Sequence, residues 1–334
     1  MPQSEAFRLK KRALMEKQLV RRVLKAAVAR LPGSARRAAY NLVRRVSKAC
    51  AAAAASLPES SRQAVLQQIC EDCHVVALKV SGRYGVIQSL ADIVLTQYAI
   101  NGTYAEHINS QLQSFFADRG GNYIDVGANI GLTTIPVAQN PWVRCLAIEP
   151  EPRNFVNLCF NIAENCPHKN VEVRRLAIFA RHQTLRFEVS SGENLGDHRL
   201  RIGEKIGRIE EHEQATIDVE AVGLDEIAAN LNGSLAVKMD TQGAEPFVVL
   251  GGKETLSRAG LVISEFWPYG MAQLGGNPED LIEFLRDQFS TLVLIGQNGP
   301  DSPRPASDVC EQLIALVADH SDNPEMSVDI IARR

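Results

Sequence analysis

Four acidic residues, Asp125, Glu149, Asp240 and Glu265, stand at or beside the ends of short apolar runs spanning 122–126, 143–148, 235–239 and 260–264. Runs of that length bounded by turn residues read as buried strands, which puts the carboxylates at strand tips. Asp125 opens the segment Asp125-Val-Gly127-Ala-Asn129-Ile-Gly131, which leads directly into a helix predicted over 132–138. A small-residue turn at the carboxyl end of a first strand is where doubly wound folds bind nucleotides. Gly127 and Gly131 would let the backbone pass close to a ligand and the helix pack tightly on the sheet. A pyrophosphate cradle would want G-x-G-x-x-G, so that a helix N-terminus meets phosphate. Asp125 would repel phosphate and suits a cationic ligand end instead. Glu149 follows Gly131 by 18 residues and caps the second predicted strand. A carboxylate there can accept both ribose hydroxyls of an adenosine; the alternative is an acid beside the N-terminus of the helix predicted over 152–165.

The segment Lys238-Met-Asp240-Thr-Gln242-Gly243-Ala-Glu245 places Lys238 and Asp240 on one strand face, with Asp240 at the tip. That tip is expected to face the same crevice as Asp125 and Glu149. Asp240 or Thr241 could instead cap a helix beginning near Ala244. Glu265, in Ser264-Glu265-Phe266-Trp267, would project into the crevice from the adjacent strand. No spacing here demands a metal. Cys70-Glu-Asp-Cys73-His74 matches the short C-x-x-C-H haem pattern, but the N-terminus advertises no export route, and no second pair supplies zinc ligands.

These tips need a scaffold, and the pattern from about Asp92 onward supplies one. Short apolar runs alternate with amphipathic helices, the signature of an α/β, doubly wound and mostly parallel sheet covered on both faces. A third strand is predicted over 171–177. The stretch 181–220 departs from the rhythm, with a hairpin signal in Leu185-Arg186-Phe187-Glu188-Val189 and a polar insertion from Arg199 to Gln214. The chain divides into a basic helical extension (1–58), a helical and strand lead-in packing on the core (59–115) and the main domain (116–334). The first fifty residues hold fourteen Lys and Arg against Glu5 and Glu16, so the net charge of −3 conceals an arm near +12 on an acidic body. Residues 17–31 read as a basic amphipathic helix, which suits peripheral membrane contact, a cleaved transit peptide or a solvated extension. Aromatics are not interleaved with these charges, so no nucleic-acid partner is expected. No run approaches the roughly 18 apolar residues of a spanning helix. Seven cysteines without framework spacing point to a reducing, cytoplasmic setting.

Taken in order, these residues resemble the FkbM family of methyltransferases. The likeness covers roughly 90–295. It begins with Gly102-Thr-Tyr104-Ala-Glu106, similar to the family's G-x-Y-E segment with one residue inserted, and runs through Asp125–Gly131 and Ile148-Glu-Pro-Glu-Pro152. It continues with Asn161, Leu176-Ala177 and Leu224-Asp225, then Lys238-x-Asp240-x-Gln242-Gly243-Ala-Glu245 and Glu265-Phe266. Gln242 stands where the family usually has Glu, leaving that signature one charge short. The resemblance implies a class I, Rossmann-like methyltransferase using S-adenosylmethionine, most often on a hydroxyl of a sugar, glycan or secondary metabolite. By residue it implies that Asp125, Gly127, Ala128, Asn129 and Gly131 line the methionine end, Glu149 the ribose and Ala177 the adenine edge. Asp240 would stand near the reacting methyl. An alkyl hydroxyl needs a general base, for which Asp240, Glu265 and His198, which follows Gly192-Glu-Asn194-Leu-Gly196-Asp197 within the 181–220 stretch, are candidates. Asp125→Ala and Glu149→Ala are expected to lose cofactor affinity while remaining folded. Two other readings remain open: an NAD-dependent oxidoreductase and a catalytically silent nucleotide-binding scaffold.

Overall fold

The computed structural model describes residues 78–89, 93–189, 199–201, 215–296 and 299–334. The basic arm, the Cys70–His74 motif, part of the lead-in and most of the polar insertion, with His198, lie outside the described residues.

Two strands, β1 (Leu78–Gly82) and β2 (Gly85–Ser89), pair as an antiparallel hairpin, and helices α1 (Ile93–Asn101) and α2 (Glu106–Phe115) follow. The core then alternates β3 (Gly121–Val126), α3 (Thr134–Ala138), β4 (Val143–Ile148), α4 (Pro152–Asn165) and β5 (Val171–Arg174). Strands β6 (Ala177–Ile178), β7 (Gln183–Val189), β8 (Arg199–Arg201) and β9 (Ala215–Val222) come next, before α5 (Leu224–Ala228) and β10 (Leu235–Met239). Helices α6 (Glu245–Gly251) and α7 (Lys253–Arg258) precede β11 (Leu261–Phe266), α8 (Pro268–Leu274) and α9 (Pro278–Gln288). The chain closes with β12 (Thr291–Gly296), β13 (Gly299–Pro300), β14 (Arg304–Pro305), α10 (Ala306–His320) and β15 (Val328–Arg333).

Among the described residues the main sheet has nine strands, ordered β13-β12-β15-β11-β10-β3-β4-β5, with β14 on β12. Strands β5, β4, β3, β10 and β11 are parallel, whereas β15 inserts antiparallel between β11 and β12. The expected doubly wound, mostly parallel sheet is therefore present. From β3 the chain proceeds outward to β4 and β5, then restarts at β10 on the other side of β3. A crevice opens at the carboxyl ends of strands where the order reverses in this way. Every residue of β10 is buried, as are Asn122–Val126 of β3. Tyr123, Ala236 and Ile263 enter one apolar layer, while Ile124, Val126, Val237 and Met239 enter the other. Alternate side chains thus feed both faces, which is why these strands read as mostly apolar runs.

Helix α4 locks the lead-in hairpin to the core. Glu151 caps it, accepting from the Asn154 backbone N–H at 2.6 Å, and Pro152 occupies its first turn. Asn161 accepts from the Gln88 N–H at 2.7 Å and donates to the carbonyls of Gln88 and Ile130, both at 2.9 Å. One turn on, Asn165 makes the same two-way contact with Val86. Two carboxamides four residues apart on one helix face therefore serve β2 as a partner strand would.

Some boundaries differ from the sequence expectation. The helix after the first strand starts at Thr134 rather than Leu132. The third strand stops at Arg174, because Ala177–Ile178 pairs with β9 and joins a separate four-stranded sheet, β6-β9-β7-β8. The hairpin signal belongs to that sheet: β7 runs antiparallel to both β8 and β9.

Candidate active site

One cavity of about 460 Å³ runs along the carboxyl edge of the main sheet. That volume lies within the range of sites that enclose small organic ligands. One end is lined by Leu176, Ala177 and Ile178, the middle by Glu149 and the 126–130 loop, and the far end by Asp240, Gln242, Glu265 and Asp329. From β6 of the smaller sheet, the cavity passes β4, β3, β10 and β11 of the main sheet to reach β15.

The loop after β3 is stitched to its neighbours by backbone. The Gly127 and Ala128 N–H groups both donate to the Ile148 carbonyl, and the Asp240 N–H donates to Val126. Gly127 has φ +79°, and a Cβ there would sit 1.9 Å from the Asp240 carbonyl oxygen. Asn129 has φ +50°, a region asparagine tolerates better than most residues. Its carboxamide oxygen is buried without a hydrogen-bond partner, at a residue that lines the cavity. Glu149 accepts from the Asn129 and Glu151 N–H groups, both at 2.9 Å. Burial, only partly offset by those donors, pushes its carboxyl up to about 8.

Of the residues expected to hold the cofactor, Gly127, Ala128, Asn129, Glu149, Ala177 and Asp240 line the cavity and two do not. Asp125 is fully buried beneath the loop. It accepts from the Thr133 and Thr134 hydroxyls, both at 2.7 Å, and faces the Lys238 ammonium at 3.4 Å. A carboxylate so surrounded has no path to a ligand, so its expected contact with a cationic ligand end is corrected to an anchoring role. Gly131 also lies outside the lining. A Cβ there would meet Leu158 Cδ1 at 2.9 Å, so this glycine serves the packing of the loop on α4.

At the far end, polar groups follow one another from strand to strand. Lys238 donates to the Gly127 carbonyl and lies 3.4 Å from both Asp125 and Asp240. Burial opposes its charge, but the carboxylates of Asp240 and Asp125 outweigh it and hold the ammonium above its ordinary range. The Gln242 amide donates to Asp240 at 3.0 Å and to Glu265 at 2.9 Å. It does so from a left-handed backbone, φ +56°, a conformation that costs on the order of 1 kcal/mol and clusters at functional sites. The missing charge at this position is thus a donor joining two carboxylates. Burial, with Asp240, Glu245 and Asp329 adding repulsion, pushes the Glu265 carboxyl well above its ordinary range. Neither Asp240 nor Thr241 caps α6. Instead Glu245 folds back to accept from the Thr241 N–H and hydroxyl, at 2.6 and 2.8 Å.

Two residues absent from the sequence expectation complete this end. His107, at the start of α2, and Asp329, on β15, both line the cavity, with His107 Nε2 2.9 Å from Asp329 Oδ2. Asp329 is the register partner of Glu265. His107 directly follows the Gly102–Glu106 segment, a proximity that could have flagged it; nothing local marks Asp329. Among the described residues, no group of three His, Cys, Asp or Glu is arranged to hold a metal ion. Nor is any helix of those residues long and apolar enough to cross a membrane.

Residues 125–289 match the family described as the methyltransferase FkbM domain. No curated protein matches the chain. Among solved structures, precorrin-6Y C5,15-methyltransferase of Geobacter metallireducens GS-15 aligns at 11% identity and TM-score 0.35, covering 70% of this chain and 89% of its own. The C-terminal domain of the Rhodobacter capsulatus precorrin-6Y C5,15-methyltransferase aligns at 11% identity and TM-score 0.35, over 69% and 90%. Both likenesses are distant.

Proposed function

Residues 125–289 carry an FkbM methyltransferase domain, and from that premise we propose that the protein transfers the methyl group of S-adenosylmethionine to a hydroxyl of a sugar, glycan or secondary metabolite. The observation that carries this reading is the single cavity joining the Glu149 carboxylate to the Asp240–Gln242–Glu265 cluster across the switch point. The residues present fit the donor. Glu149 retains lone pairs for two ribose hydroxyls beyond the two backbone donors it already accepts. The unpartnered Asn129 oxygen suits the ammonium of the methionine end, with Gly127 and Ala128 beside it. Ala177, flanked by Leu176 and Ile178, forms an apolar edge for adenine. Asp240 stands where the cavity passes from donor to acceptor. When bound, the donor supplies an activated methyl, so the protein's main contribution is to hold the acceptor oxygen in line with it.

A dinucleotide is disfavoured at the same place. Lys238 is the only Lys or Arg among the described lining residues, and Asp125 and Asp240 already engage it. A pyrophosphate would then face Glu149, Asp240 and Glu265 with no free cation. Calorimetry of the full chain against S-adenosylhomocysteine, with NADH in parallel, tests the reading. Micromolar binding of the first alone supports it. Binding of NADH alone would move the chain to the oxidoreductases, and silence from both would favour a scaffold.

A further inference from the structure

Building on the methyl-transfer reading, we propose that His107 takes the acceptor's proton during transfer and that Asp329 is the positioning residue that orients its imidazole. Sheet order gives the first argument. Glu149, the 126–130 loop and Asp240 follow β4, β3 and β10 at one sheet edge, so β11 and β15 line the stretch of cavity beyond the residues that would hold the donor. Neighbouring strands lie about 4.8 Å apart, which puts Asp329 about 10 Å beyond the β10 tip, within the same cavity.

The pair itself gives the second argument. His107 and Asp329 are 222 positions apart in the chain, yet their side chains meet at 2.9 Å on the cavity wall. A carboxylate on Nε2 selects the tautomer protonated there and leaves Nδ1 with its lone pair. Both side chains keep some solvent exposure, 38% and 28%, so a proton taken from the acceptor has a route out.

The other acids at this end give the third. Asp240 is engaged by Lys238 and Gln242. Burial and the carboxylates around it push the Glu265 carboxyl well above its ordinary range, and its oxygen already accepts from the Gln242 amide. Among the described residues, the other charged and titratable groups lining this end of the cavity are Asp329, Glu265, Asp240, Lys238 and Tyr104, with Glu106 next to His107 on its own helix. Glu106 is tied to Arg83 and to the Tyr84 hydroxyl.

The acceptor O–H bond breaks with its proton passing to Nδ1. The oxygen lone pair forms the O–CH₃ bond as the S–CH₃ bond breaks, and that bonding pair stays on sulfur, leaving neutral S-adenosylhomocysteine and a methyl ether. The imidazolium then gives its proton to water, one proton for each methyl moved.

The test needs no acceptor. The full chain is labelled with ¹⁵N-histidine and the His107 imidazole, assigned through its own backbone correlations, is titrated by NMR. Two complexes are compared, one with S-adenosylhomocysteine and one with sinefungin, which carries an amine where the methyl would stand. The expected result is an Nε2–H tautomer in the neutral form and a midpoint about half a pH unit or more lower with sinefungin, because a nearby ammonium disfavours the imidazolium. In Asp329→Asn both midpoints should fall. An Nδ1–H tautomer, or the same midpoint in both complexes, would overturn the assignment, since a bridge that merely ties β15 to α2 would not sense the donor's charge. If calorimetry shows that neither ligand binds, the methyl-transfer reading fails and takes this assignment with it; binding with an unmoved His107 overturns the assignment alone.

Discussion

The carboxylates at the strand tips look alike in the sequence and play different parts once placed. Asp125 is enclosed by two threonine hydroxyls and the Lys238 ammonium. Its removal takes one of two carboxylates from the buried Lys238 ammonium, which keeps Asp240, and strips both threonine hydroxyls of their acceptor. Asp125→Ala is therefore expected to lose about 3 kcal/mol of stability, seen as a lower urea midpoint with or without ligand, rather than the clean affinity loss its strand-tip position alone suggests. Glu149 does border the cavity, and there the expectation of lost affinity stands. In Glu149→Gln, affinity for S-adenosylhomocysteine should fall by about tenfold, the scale of one charge-assisted hydrogen bond, while the fold persists. The pH dependence follows from the raised carboxyl. Its folded value of about 8 lies above the ordinary 4.5, so its contribution to apo stability is complete below 4.5 and is lost as pH rises through about 8. Ribose hydroxyls donate to the ionised form, so binding expels the proton and affinity should rise from pH 6 to pH 8.5. Calorimetry at the two pH values checks this, and the rise should vanish in Glu149→Gln.

Two turns at the sheet edge hold the cavity in shape. At Gly127 the left-handed φ and the 1.9 Å approach of the Asp240 carbonyl leave no room for a side chain. Gly127→Ala should push the β3 loop off β10, costing about 2 kcal/mol or more for the strained backbone and abolishing detectable binding of S-adenosylhomocysteine. A thermal melt and a titration read the two effects separately. At the β10 turn, Gln242 supplies the donor that lets Asp240 and Glu265 sit close together. Gln242→Glu replaces that donor with a third carboxylate, and like charges in one site force protonation. Its urea midpoint should therefore drop more at pH 9 than at pH 6, whereas equal drops would show that the amide's hydrogen bonds do not manage charge. A glutamate is the family's usual residue at this place, so the comparison also measures what the departure does.

For the molecule as a whole, all the described residues that line the cavity fall between Val94 and Asp329. Removing residues 1–48 is accordingly expected to leave the affinity for S-adenosylhomocysteine within about twofold, a change smaller than the loss of one ordinary hydrogen bond; a truncated chain that cannot bind would make the arm part of the core. The parallel core was legible from sequence because strands buried on both faces are mostly apolar, and 122–126, 143–148 and 235–239 are interrupted only by Asn122, Asp125, Arg144 and Lys238. The loop after β3 was legible because a close backbone approach demands glycine at 127. Which acids face the cavity was not, since Asp125 and Glu149 differ only in what surrounds them: hydroxyls and an ammonium for one, backbone donors and open space for the other. The far wall was decided by tertiary structure alone. Insertion of β15 antiparallel between β11 and β12 brings Asp329 beside Glu265 and within hydrogen-bonding distance of His107. Local residue patterns report the period and burial of an element, but a pairing across 222 positions depends on where the closing strand finds its edge, and that is set by the packing of the whole sheet.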